Sequence, residues 1–205
     1  LMLDVTEALD FVRCLSVRLH KKSPRALLRR SLGLVAKGNG IPFFFNDDVL
    51  VPALVDGGID LTDARDYAAI GCVEITIPGK ANPHAVSNRI NLLKCLELAL
   101  NDGRSMTTGA QLGPRTGDAE EMASLNDVTA AYGQQVSFFV HEMCRETVRL
   151  GMAQRLTAPM PYKSLLTEGC LARGRDFNDL AATYDYHESI PMGIPNVADC
   201  LAAIQ

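Results

Sequence analysis

Clusters of turn-forming residues, and not long apolar runs, set what this chain can fold into. Ser23-Pro24, Gly38-Asn39-Gly40, Asp56-Gly57-Gly58 and Asn101-Asp102-Gly103 cut it into segments of helix or strand length. The spacing of apolar residues predicts a helix over 5–19 and a second from Ser23-Pro24 to about Lys37, with Ser at the cap and Pro in the first turn. Residues 41–45 read as a buried strand, 47–55 as a helix made irregular by Pro52, and Thr62 as the cap of a short helix reaching Tyr67. A strongly apolar helix follows over 90–100, and 104–118, dense in Gly, Thr and Pro, reads as a surface excursion or hairpin. The longest helix is expected over 119–150, broken near Asn126-Asp127, with Val136, Phe139, Val140, Met143, Val148 and Leu150 packing inward. Shorter helices are expected over 162–171 and 196–204. Helices alternating with short strands place the chain in the α/β class.

Composition narrows the function classes. A chain of 205 residues with 47% hydrophobic content suffices for one substantial core, or for part of a larger one. The net charge of −4 gives no reason to expect a nucleic-acid partner. The positive charge between Arg13 and Lys37 is interleaved with Leu27, Leu28, Leu32, Leu34 and Val35, the pattern of a solvated helix face. No apolar run reaches the roughly 18 residues of a membrane span and no signal-peptide pattern opens the chain, so a cytoplasmic location is expected. The six cysteines, at 14, 72, 95, 144, 170 and 200, form no C-x-x-C pair and fit neither a zinc site nor a secreted disulfide framework. Cys95 and Cys144 lie in apolar-periodic stretches and read as small buried hydrophobes. The four histidines show no H-x-x-x-H spacing, so no metal is expected.

Gly71-Cys72-Val73-Glu74 carries the chemistry. In an extended loop Cys72 and Glu74 would point to one side with their Cα atoms roughly 7 Å apart, and Val73 would turn away into packing. Gly71 permits a sharp bend. Cys72 is then placed to take a hydrogen atom from a carbon of a small substrate while Glu74 takes a proton from a hydroxyl on that carbon. Alone, Cys-x-Glu is a weak pattern.

The residues around it are more specific. Over 38–103 the chain resembles the glycyl radical enzymes of the pyruvate formate-lyase superfamily, in their dehydratase and decarboxylase branch. The likeness rests on Pro42-Phe43-Phe44-Phe45-Asn46-Asp47-Asp48, Asp63-Ala64-Arg65-Asp66-Tyr67, the Gly-Cys-Val-Glu loop, Pro78-Gly79-Lys80 and the stretch from Asn91 to Gly103. A weaker echo runs through Leu166-Thr167-Glu168-Gly169-Cys170, Gly174-Arg175-Asp176 and Pro195-Asn196-Val197-Ala198-Asp199-Cys200-Leu201. The resemblance implies a sector of a ten-stranded α/β barrel with the cysteine loop threaded through its centre. It makes residues 1–205 an internal fragment of the catalytic domain, the C-terminal glycyl radical domain being absent. It makes Cys72 the thiyl-bearing residue and Glu74 the general base. It implies that the fragment itself binds no cofactor. The glycyl radical belongs to a residue outside it, installed by a radical S-adenosylmethionine iron-sulfur activase, and the parent is expected to be a homodimer acting on a small molecule. A thiyl radical is quenched by water, so the loop is expected to be buried, with the Glu74 pKa raised.

Departures from the family pattern sort its branches. Gly71 stands where a second cysteine marks the acyl-transferring pyruvate formate-lyase itself, and Glu74 favours elimination or decarboxylation. Ile75 replaces the proline of many dehydratases, leaving the subgroup open, and Asp179-Leu180-Ala181-Ala182-Thr183-Tyr184 replaces the usual glycine-rich segment. Arg89, His84, Phe44 and Asn88 are the expected substrate-binding residues. Arg89 suits a carboxylate or sulfonate, although an ion pair with Glu97 explains it equally well. His84 reads either as a pocket residue or as a loop histidine bonded to backbone, and Phe44 as pocket wall or core. The favoured function is a glycyl radical dehydratase or related lyase. An arylacetate decarboxylase or formate acetyltransferase-like enzyme of the same superfamily is the alternative. From other classes come a thiol amidase using Cys72, Glu74 and Lys80, or a non-catalytic fragment.

Overall fold

The computed structural model describes residues 1–8, 14–85 and 87–204, apart from the side chain of Asn39. The chain divides into two units, Leu1–Ala85 with Met160–Tyr186 and Val86–Pro159 with His187–Gln205. Residues 1–85 carry α1 (Met2–Ala8), β1 (Ser16–Leu19), α2 (Arg25–Leu34), β2 (Phe43–Asn46), α3 (Asp47–Asp56), α4 (Leu61–Arg65), β3 (Ala68–Ile70), β4 (Glu74–Thr76) and β5 (Ala81–Asn82). Then come β6 (Asn88–Asn91), α5 (Leu92–Ala99) and α6 (Leu125–Thr157), followed by α7 (Pro161–Leu166), α8 (Cys170–Arg173), β7 (Tyr184–Asp185), β8 (Ser189–Met192) and α9 (Ile194–Ile204).

In the first unit β1 and β2 pair in parallel from Ser16↔Phe43 to Leu19↔Asn46, with α2 as the crossover that parallel strands require. Strand β5 pairs in parallel with β7, while β3 and β4 form an antiparallel hairpin. Phe45, Ile59, Ala64, Tyr67, Ile77 and Ala81 make the core, and Leu54, Tyr184 and Tyr186 pack against it. Asn46 caps α3 by accepting from the Asp48 N–H at 3.1 Å, and Asp60, not Thr62, caps α4 by accepting from the Thr62 N–H at 2.8 Å. Helix α3 runs unbroken through Pro52. In the second unit β6 and β8 pair in parallel, and α5 packs with α6 and α9 around Leu96, Val128 and Val197.

The expected barrel is not there. Among the described residues the strands form four sheets of two strands each, and none closes. A barrel needs every strand bonded along both edges, and each of these strands has one neighbour. Alternating elements signal an α/β class but say nothing about closure.

Other expectations shift for local reasons. The helix expected over 5–19 is α1 followed by β1, with 9–13 outside the described residues; Val17 and Arg18 are claimed by pairing with β2. The start of the 90–100 helix is β6, for the same reason. The segment 104–118 does fold back on itself through bridges at Asn101↔Asp118 and Arg104↔Gln111. Helix α6 begins later than expected, capped by Ser124, and runs through Thr157 without a break. Its buried side chains are Val128, Ala131, Gln135 and Thr147, whereas Val148, Leu150 and Cys144 are exposed. No helix among the described residues is long and apolar enough to cross a membrane.

Candidate active site

The β3–β4 hairpin is anchored from below by Tyr67, which is only 2% exposed. Its hydroxyl donates to Asp47 Oδ1 at 2.6 Å, and the Arg18 guanidinium carbon lies 3.8 Å from its ring centroid. Arg18 also holds Asp47 through Nε and Nη2, each at 3.0 Å, and donates to the carbonyls of Tyr67 and Arg65 at 2.9 Å. Burial pushes the Tyr67 hydroxyl up, reinforced by Asp47. For Asp47 itself the effect of burial is outweighed by hydrogen bonds from Arg18 and Tyr67, and its carboxyl sits below the usual aspartate value. On the far strand, the Tyr186 hydroxyl donates to the Ile75 carbonyl at 2.9 Å. Both strands of the hairpin are thus fixed by side chains distant in sequence.

The loop itself is a tight turn, not the extended segment the i, i+2 spacing suggested. Ile70 pairs with Glu74, leaving Gly71, Cys72 and Val73 to reverse the chain. Gly71 adopts φ +61°, in the left-handed region, and a Cβ placed there would lie 2.8 Å from Glu74 Oε2. The left-handed φ calls for glycine, and a Cβ there would displace the Glu74 carboxylate from its place. Glu74 folds back so that Oε2 accepts from the Cys72 N–H at 2.9 Å and the Val73 N–H at 3.0 Å. Val73, expected to pack inward, is 49% exposed.

Two electrostatic expectations also change. Partial burial acts to raise the Glu74 carboxyl, but the backbone N–H groups of Glu74, Val73 and Cys72 outweigh it and hold it below the usual glutamate value. Cys72 is exposed in this chain, not buried. Its thiol is pushed up, first by the neighbouring Cys14 thiol, then by slight burial and the Glu74 charge. The site therefore presents an S–H beside an ionised carboxylate at neutral pH.

The expected substrate-binding residues fall in both units. In the first, Phe44 occupies the exposed face of β2, opposite buried Phe45. His84, with φ +39°, places Nε2 3.1 Å from Asp185 Oδ1, a side-chain partner from β7. Lys80 is held by Asp63 at 2.7 Å. In the second unit Asn88 donates to Thr147 Oγ1, while Arg89 is exposed beside a cleft of about 350 Å³ lined also by Lys94, Phe139 and Glu142. Glu97, the alternative partner for Arg89, is taken by Lys94. Sequence reasoning missed Cys14, Arg18, Asp47, Tyr67 and Tyr186 as parts of the site. Asp47 and Tyr67 lie in the stretches that carried the family likeness, a usable signal, whereas nothing in the sequence around Cys14 pointed to Cys72.

With this geometry in hand, the chain can be placed. The sequence profile described as "Pyruvate formate lyase-like" matches residues 1–205, and the chain belongs to that family of glycyl radical enzymes. Within the family it lies in the dehydratase branch. It is 33% identical over 189 residues to the (2S)-3-sulfopropanediol dehydratase of Klebsiella oxytoca, covering 92% of this chain and 23% of that protein. It is 28% identical over 206 residues to the trans-4-hydroxy-L-proline dehydratase of Clostridioides difficile, covering 100% of this chain and 26% of that protein. The glycerol-bound B12-independent glycerol dehydratase from Clostridium butyricum superposes with a TM-score of 0.81 at 37% identity, over 94% of this chain and 24% of that one. The chain thus spans about a quarter of the length of these relatives.

Proposed function

We propose that Cys72 and Glu74 perform a radical dehydration of a small hydroxylated compound in the full-length protein that carries this sequence. The observation that carries the reading is the folding of the Glu74 carboxylate onto the backbone of Cys72, which locks sulfur and base into one hairpin turn. Family membership implies a glycine-centred radical installed by an activating enzyme, and that radical supplies the abstraction of the Cys72 hydrogen atom. A thiol pushed up and kept protonated is what hydrogen-atom exchange needs, and the opposite of what a thiolate nucleophile needs. With Lys80 committed to Asp63, this argues against the thiol amidase reading.

In the reaction the Cys72 thiyl takes hydrogen from a carbon bearing a hydroxyl. Glu74, already ionised, takes the hydroxyl proton. The neighbouring C–O bond breaks, and hydroxide leaves with the proton Glu74 removed, a net loss of one water. The product radical then reclaims hydrogen from Cys72 S–H. Two of the relatives are named for a diol and a triol, which fits this substrate class. Phe44 and His84 are proposed as apolar and polar substrate contacts, Asn88 as a hydrogen-bonding group and Arg89 as an anion clamp. Exclusion of water from Cys72 is assigned to the rest of the full-length protein.

The test is the anaerobic, activated full-length protein assayed on vicinal diols. Cys72→Ala should abolish turnover, and Glu74→Gln should lower it by about 10²- to 10⁴-fold with the glycine-centred paramagnetic doublet retained. Turnover by Cys72→Ala would falsify the assignment.

A further inference from the structure

His84 takes a backbone conformation that its residue type does not favour. With φ +39° it lies in the left-handed region, where a residue carrying a Cβ stays only when its surroundings hold it. What holds it lies within the first unit and is assembled by the pairing of β5 with β7. The parallel register sets Asn82 opposite Asp185, and the Tyr184 and Tyr186 N–H groups donate to the Lys80 and Asn82 carbonyls at 3.0 and 3.2 Å. Asn82, only 3% exposed, is locked in turn: Nδ2 donates to the Phe177 carbonyl at 3.2 Å, and Oδ1 accepts from the His84 N–H at 3.4 Å. The imidazole meets Asp185, with Nε2 3.1 Å from Oδ1 and both side chains largely buried. A carboxylate only accepts, so Nε2 is the ring nitrogen that carries the proton. The other oxygen, Asp185 Oδ2, is buried with no hydrogen bond among the described residues. A buried carboxylate satisfied on one side weakens a fold, so stability does not account for it. The next residue ties the same segment to the reactive hairpin: the Tyr186 hydroxyl donates to the carbonyl of Ile75, the neighbour of Glu74.

We propose that Asp185 is a positioning residue: it fixes the ring orientation and tautomer of His84, and the 185–186 segment thereby holds that ring and the Cys72–Glu74 hairpin in one fixed arrangement. Asp185 acts through His84. The inference rests on the reading of His84 as a polar substrate contact, and it specifies how that contact is made rigid. A small hydroxylated substrate then meets a ring whose orientation is set before binding, and no binding energy goes into ordering it.

The experiment uses the full-length protein. Diethyl pyrocarbonate, which acylates imidazole nitrogen, should label His84 several-fold faster in Asp185→Ala than in the parent, with the exposed His20 and His141 as references. Equal labelling overturns the proposal. In the activated protein turning over a vicinal diol, the near-isosteric Asp185→Asn, whose amide can donate as well as accept, should raise KM about tenfold with kcat and the urea midpoint unchanged. His84→Ala should raise KM similarly, and adding Asp185→Asn to it should raise KM no further, because a residue acting through His84 has nothing left to act on. Effects that multiply, or a lower urea midpoint with no change in KM, mark Asp185 as structural and overturn the proposal. Labelling needs no turnover: faster labelling in a protein that dehydrates no diol leaves the positioning of His84 in place and removes the radical reading.

Discussion

The Gly71 position concentrates the constraints on the loop, because it must turn left-handed and leave room for a carboxylate. Gly71→Ala forces a side chain into φ +61° and against Glu74 Oε2. The expected outcome is a loss of about 1–3 kcal/mol in urea unfolding, together with release of Glu74 from the Cys72 and Val73 N–H groups, visible as faster exchange of those amides. Gly-Cys-Val-Glu is singled out in the sequence by the family likeness of the residues around it, Cys-x-Glu alone being a weak pattern. What was not legible is the protonation pattern. The spacing argument treated Glu74 as a side chain leaving an extended strand, while the turn lets it collect its own backbone donors, and that reverses the direction of its pKa.

Elements show the same division. Helix α6 was readable from its apolar spacing, yet which residues it buries depends on what packs against it. Gln135, fully buried, donates from Nε2 to the Pro114 carbonyl at 2.7 Å and to Thr116 Oγ1 at 3.1 Å, tying α6 to the 104–118 segment. A Cβ at Gly113 would fall 1.9 Å from Gln135 Oε1. Gly113→Ala should therefore destabilise the second unit by about 1–3 kcal/mol, measured as a lower urea midpoint. Strand β1 marks the opposite case: its residues fit a helical period as well as a strand, and pairing with β2 decided between them.

For the whole chain, stability against acid is tied to the cluster that supports the hairpin. Asp47 has a folded pKa below its unfolded value, so its contribution is fully present above about pH 4 and is lost as pH falls through the folded value. The urea midpoint should drop over that acid range, and Asp47→Asn should lower the neutral-pH midpoint while flattening the acid drop. The sequence by itself determined the α/β class and the family, because these depend on residue type, spacing and local periodicity. Tertiary structure alone decided that the strands of the described residues pair in twos and that Arg18, Asp47 and Tyr67 brace the hairpin. Such contacts join residues far apart along the chain, and their partners are selected by packing and hydrogen-bond geometry that no local pattern encodes.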